Sequence, residues 1–168
     1  MLKYYQGPLG DFEYNDTEFR VFTYGVIKYI GKETDGTKIK IPAGITDCSF
    51  MFENCCKLQT VPVIPEGVRI CNGMFVNCSS LQQAPEIPVT VKQCNFIFSE
   101  CGFFYTPLLP QNTAGSFQGV FDSCCNLLNY VLIPYDKFDT MHRCQYAGCP
   151  VILREMHDFI IRIQERVK

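Results

Sequence analysis

The stretch Met51-Phe52-Glu53-Asn54-Cys55-Cys56-Lys57-Leu58 decides how this chain is read, because it returns as Met74-Phe75-Val76-Asn77-Cys78-Ser79-Ser80-Leu81. Phe52, Phe75, Phe98 and Phe121 are 23 residues apart, and Cys55, Cys78, Cys101 and Cys124 each follow by three. The same spacing carries Leu58, Leu81, Phe104 and Leu127 after each Phe, and Met51, Met74, Ile97 and Val120 before it. Cys48, Cys71 and Cys94 sit four residues ahead, with Phe117 in the fourth place. Between these anchors, Pro62-Val63-Ile64-Pro65 recurs as Pro85-Glu86-Ile87-Pro88 and, shifted by one, as Pro107-Leu108-Leu109-Pro110.

Four copies run from about Ile41 to Ile133, and a degenerate fifth reaches Cys149. A unit this short cannot bury its own apolar side chains and becomes stable only by stacking on its neighbours. Leu58 to Ile64 has strand-like spacing ending at a proline, whose missing N–H suits a strand end. Met51 to Cys55 predicts one helical or 3₁₀ turn with Phe and Cys inward. The expected fold is therefore α/β: a short solenoid of parallel strands and short helical or 3₁₀ turns.

On these residues, the M-F-x-N-C-x-x-L and I-P repeats over about residues 38–149, the chain resembles the BspA-like leucine-rich-repeat family. The resemblance implies a leucine-rich-repeat solenoid. Phe104 for Leu, Phe117 for Cys and the missing proline pair after Cys149 depart from its pattern.

The open ends of such a stack need polar-faced covers. Residues 1–40 are expected to form a β-hairpin cap, because Glu18 to Thr23 alternates, Val26 to Ile30 is apolar and Thr34-Asp35-Gly36 offers a turn. Residues 150–168 are expected to form an α-helical cap: Pro150 suits a first helical position, and Ile152, Met156, Phe159, Ile160, Ile163 and Val167 fall on one face. The chain thus reads as one domain with caps around four to five repeats at 41–149.

The chain has 168 residues and a formal net charge of −2, with 15 Lys+Arg against 17 Asp+Glu, so the basic footprint of a nucleic-acid binder is missing. No apolar run is long enough to cross a membrane or to serve as a secretory signal, which predicts a cytoplasmic protein.

Eleven cysteines raise metal, redox and disulfide readings. Thiolate metal sites pair ligands at C-x₂₋₄-C; the adjacent Cys55-Cys56 and Cys124-Cys125 are too close for that, and Cys144 with Cys149 stands at its upper limit, C-x₄-C. Seven cysteines occupy repeat positions, which predicts a buried ladder of small, polarisable side chains. Cys56, Cys125, Cys144 and Cys149 are less constrained. The two histidines, His142 and His157, come with no orienting third group for a Cys-His pair, and Gly31-Lys32 lacks the rest of a phosphate loop. Neither a catalytic site nor a cofactor is expected.

Residues 43–149 hold five basic and eight acidic side chains, a weakly charged exterior. Its variable positions turn aromatic and aliphatic at Phe103, Tyr105, Leu108, Tyr130 and Leu132, which on a strand face would form a partner-binding strip. The same residues could instead fill space left by the shifted proline spacing. The expected function is non-catalytic recognition of a protein partner, with no direct nucleic-acid binding and no membrane. By resemblance, small unanchored relatives look like cargo of bacterial viruses or mobile elements, which implies an inhibitor of a bacterial host or defence protein in a bacterial or phage-infected cell. A fragment of a secreted adhesin and a thiol-based metal or redox protein are the alternatives.

Overall fold

The computed structural model describes residues 1–102, 118–124, 131–133 and 151–153, the last two segments as backbone. The chain opens with two antiparallel hairpins. Strands β1 (Leu2–Gly7) and β2 (Gly10–Asn15) pair from Leu2↔Asn15 to Gly7↔Gly10, closing on Pro8-Leu9. Gly10 (φ +116°) and Gly44 (φ +90°) let the hairpin dock on the chain ahead of the first repeat: a Cβ on Gly10 would strike the Gly44 carbonyl, and one on Gly44 the Asp11 carbonyl. Strands β3 (Phe19–Phe22) and β4 (Val26–Tyr29) form the second hairpin, which turns at Gly25 with φ +79°.

The repeats form stacked layers built from turns. Within Cys48–Leu58, the N–H groups of Met51, Glu53, Cys55 and Leu58 bond back to the carbonyls of Cys48, Phe50, Phe52 and Cys55. The intervening N–H groups of Cys48, Phe50, Phe52 and Asn54 reach the carbonyls of Ile70, Asn72, Met74 and Val76 in the next layer at 2.8–2.9 Å. Cys71, Gly73, Phe75 and Asn77 repeat this onto Gln93, Asn95, Ile97 and Ser99, and Phe96, Phe98 and Glu100 onto Gln118, Val120 and Asp122. Every second amide thus holds its own turn and the others join the layers, which satisfies these backbone donors without strand or helix.

The turns need left-handed residues two places before and two places after each Phe. Before it stand Phe50, Gly73, Phe96 and Gly119, and after it Asn54, Asn77, Glu100 and Ser123, all with φ between 55° and 64°.

Packing follows from the same spacing. Phe52, Phe75, Phe98 and Phe121 are fully buried and stack at centroid separations of 5.4, 5.9 and 5.8 Å, within 20° of parallel. These lie in the range favoured by offset aromatic pairs. The column ends on the second hairpin, where Tyr29 sits 5.3 Å and Phe19 6.5 Å from Phe52. Tyr29 stands 23 residues before Phe52, and its N–H bonds to Met51 at 2.8 Å just as Phe52 bonds to Met74. β4 therefore supplies the inner part of one more layer, which the motif search missed because Tyr replaces Phe and no Cys follows.

The repeat cysteines have a specific task. Cys78, Cys101 and Cys124 point their thiols at the carbonyls of Phe52, Phe75 and Phe98 in the preceding layer, at 3.1, 3.1 and 2.9 Å. A thiol is small and apolar enough for this interior and still donates a weak hydrogen bond, a combination that neither Ala nor Val offers.

The expected α/β class is overturned. Among the described residues there is no α-helix, and the regular antiparallel strands belong to the two hairpins, so a leucine-rich-repeat solenoid with a parallel-strand face is not what forms. Between residues 41 and 102, parallel pairing of one repeat with the next is limited to the isolated bridges Asp47–Ile70 and Ile70–Gln93. The prolines explain the lost strand, since Pro62 and Pro65 cannot donate to a ladder along Leu58–Pro65, nor Pro85 and Pro88 along Leu81–Pro88. The left-handed residues explain the lost helical turn, because Phe50 and Asn54 break any run of right-handed backbone around Met51–Cys55. The C-terminal helical cap is corrected at its start: Val151–Leu153 is strand β6, paired in parallel with β5 (Val131–Ile133), so Ile152 lies in a strand. Met156, Phe159, Ile160, Ile163 and Val167 lie outside the described residues.

Candidate interaction surface

The solvent-facing side of the turns carries the most unusual chemistry on the molecule. Phe50 and Phe96 hold a left-handed backbone, which costs an L-residue roughly 1–2 kcal/mol and is normally left to Gly, Asn or Asp. Each ring is 40% exposed. Each also lies against a glycine one layer on: a Cβ on Gly73 would come within 2.5 Å of the Phe50 ring, and one on Gly119 would strike the Phe96 ring. The two rings stand two layers apart, roughly 10 Å at the spacing of hydrogen-bonded chains.

Around them the surface is polar and ordered. Asn77 donates to the Asn54 side chain at 2.9 Å, while the Asn72 and Asn95 side-chain oxygens accept the backbone N–H groups of Asn95 and Gln118 at 2.9 and 2.8 Å. Glu53 is paired with Lys28.

Of the partner-binding residues read from sequence, Phe103, Tyr105, Leu108 and Tyr130 lie outside the described residues, and Leu132 is in β5. Phe50 and Phe96 escaped that reading. Their signal was present: the position two before each repeat Phe reads Phe, Gly, Phe, Gly. It becomes meaningful only once the backbone there is seen to be left-handed.

The described cysteines are free thiols. Burial pushes the Cys48, Cys78 and Cys101 thiols far above their ordinary value, and Cys71 rises through a hydrogen bond shared with Cys94 and through burial. Burial, with a smaller contribution from Cys56, pushes Cys55 up to about 11. Such groups are protonated near neutral pH and lack the thiolate that attack or metal binding needs. Cys56 is exposed and donates to the Asn77 carbonyl at 3.3 Å. Among the described residues no three His, Cys, Asp or Glu side chains converge on a metal position, and no helix is long and apolar enough to cross a membrane. His142, His157, Cys125, Cys144 and Cys149 lie outside the described residues.

No protein-family model matches the chain, and no curated protein or solved structure matches it.

Proposed function

We propose that the protein is a non-catalytic recognition module that binds a protein partner through the turn face carrying Phe50 and Phe96. The single observation that supports this reading is the placement of two part-exposed phenyl rings on strained backbone, at a position where the alternate layers carry glycine. Backbone conformation favours Asn or Gly there; each ring instead covers the glycine of the next layer and leaves the rest of its surface to solvent. Aromatic side chains held rigidly on a surface are the usual anchors of protein interfaces, because they bury a large area at little entropy cost.

The sequence resemblance to BspA-like repeats supplies the narrower reading of an inhibitor of a bacterial host or defence protein, so a bacterial extract is the first source to search. Immobilised wild-type chain and the Phe50→Asn/Phe96→Asn variant are compared for capture. Asn tolerates the left-handed backbone, so the fold is retained. A partner captured by the wild type and lost by the variant supports the reading; equal capture by both removes this face from it.

A further inference from the structure

A cleft of about 500 Å³ opens at the edge of the stack, between the loop after β4 and the Asn54–Leu58 turn. Its origin is a shortened layer. Gln82 bonds to Gln59 across 23 residues, but Gln59 bonds to Thr34 across 25, so the path from Tyr29 to Thr34 has two residues fewer than the path from Phe52 to Gln59. The short loop curls around Tyr29: Gly31 lies against the ring, and the phenol oxygen accepts the Glu33 N–H at 3.1 Å. The space that the turns at 54–58 and 77–81 fill in their layers is left open here.

The groups such a turn would satisfy lack their partners. The carbonyls of Val76, Ser99 and Asp122 accept N–H groups from the preceding layer, whereas the equivalent Glu53 carbonyl accepts none among the described residues. Asn54 uses its side-chain oxygen for Asn77, which leaves its amide N–H₂ to donate. The Glu53 carbonyl, the Asn54 amide N–H₂ and, in the cleft, an apolar floor of Tyr29 and Leu58 are what one turn of peptide backbone matches. At the rim, Lys32 and Lys57 form no ion pair among the described residues, while the Glu33 carboxylate is occupied by the N–H groups of Thr34 and Asp35. The surplus charge is positive.

We propose that this cleft binds a short acidic peptide segment, whose backbone takes the place of the turn missing from the Tyr29 layer and whose carboxylates meet Lys32 and Lys57. The volume falls in the range of about 300–1,000 Å³ typical of ligand sites. The site is at the edge of the stack rather than on the turn face, and it stands or falls independently of the recognition reading above.

The test is a ¹H–¹⁵N NMR titration of the full chain, kept reduced, with N-acetyl-Gly-Asn-Ser-Glu and, separately, with the neutral N-acetyl-Gly-Asn-Ser-Gln amide. The expected result is saturable shifts confined to 30–34 and 53–58, with a Kd on the order of 1 mM. The neutral peptide and the Lys32→Glu/Lys57→Glu variant should each weaken binding about tenfold or more. Both lysines are at the surface, so unchanged peaks elsewhere verify that the variant is folded. Equal binding of the two peptides, shifts outside these segments, or no saturable shift would overturn the proposal.

Discussion

The phenyl ring of Phe96 lies against the Cα of Gly119 one layer on, as that of Phe50 lies against Gly73. This pairing links the left-handed turns, the exposed aromatics and the glycines into one device, so substitution of either glycine should be felt twice. Gly73→Ala and Gly119→Ala put a side chain on positive-φ backbone and drive a methyl group into the ring. Gly67→Ala, at φ +95° with nothing within 4 Å, meets only the first penalty. In urea unfolding the first two should lose about 2–4 kcal/mol and Gly67→Ala about 1–2 kcal/mol. Equal losses at all three would show that the rings do not rest on the glycines.

The aromatic column should dominate stability. Phe75 is fully buried with a ring on either side, so Phe75→Ala should cost about 3–5 kcal/mol. Urea unfolding of the variant checks this, and a loss below about 1 kcal/mol would mean that the rings are not stacked as described.

The thiols should divide sharply under a blocking reagent applied to the folded chain near neutral pH. Site-resolved mass spectrometry should find Cys56 modified first, with Cys55 slower and Cys48, Cys71, Cys78 and Cys101 protected until the chain unfolds. Prompt labelling of Cys78 or Cys101 would contradict the hydrogen bonds that those thiols make to the preceding layer.

Asp35 gives a pH signature. Its carboxylate accepts from the Thr37 and Thr60 hydroxyls at 2.6 and 2.8 Å, and these bonds hold its pKa at about 2 against an ordinary 3.8. Because the folded value is the lower one, the charged form stabilises the fold above about pH 4, and that stability is lost as the pH falls towards 2. The gap in melting temperature between wild type and Asp35→Asn should be constant above about pH 4 and close below it. A gap that persists unchanged to pH 2 would rule out this linkage.

The burial of the repeat Phe residues and of six of the seven repeat cysteines, Cys55 being only part-buried, was legible in the sequence, because apolar side chains at fixed intervals record which atoms must leave water. The backbone that carries them was not. Spacings of three and four, from Cys48 to Met51, Cys55 and Leu58, suit a helix as well as overlapping turns, and only the left-handed angles at Phe50 and Asn54 decide between them. The short layer at Tyr29 stayed hidden because Gly31 and Lys32 stand where later layers carry Asn54 and Cys55. The candidate surface was read from the drift to aromatic residues after Cys101, whereas Phe50 and Phe96 depend on a backbone conformation that composition does not reveal.

The role of the turn face is tested most directly by site-specific photo-crosslinking. A benzophenone side chain is placed at Phe50 or at Phe96, and at the exposed Val63 and Val89 as controls, and each chain is irradiated in bacterial extract. The expected result is one shared adduct from positions 50 and 96 that the control positions do not give. Adducts from Val63 or Val89 alone, or the same adduct from all four, would contradict recognition through Phe50 and Phe96.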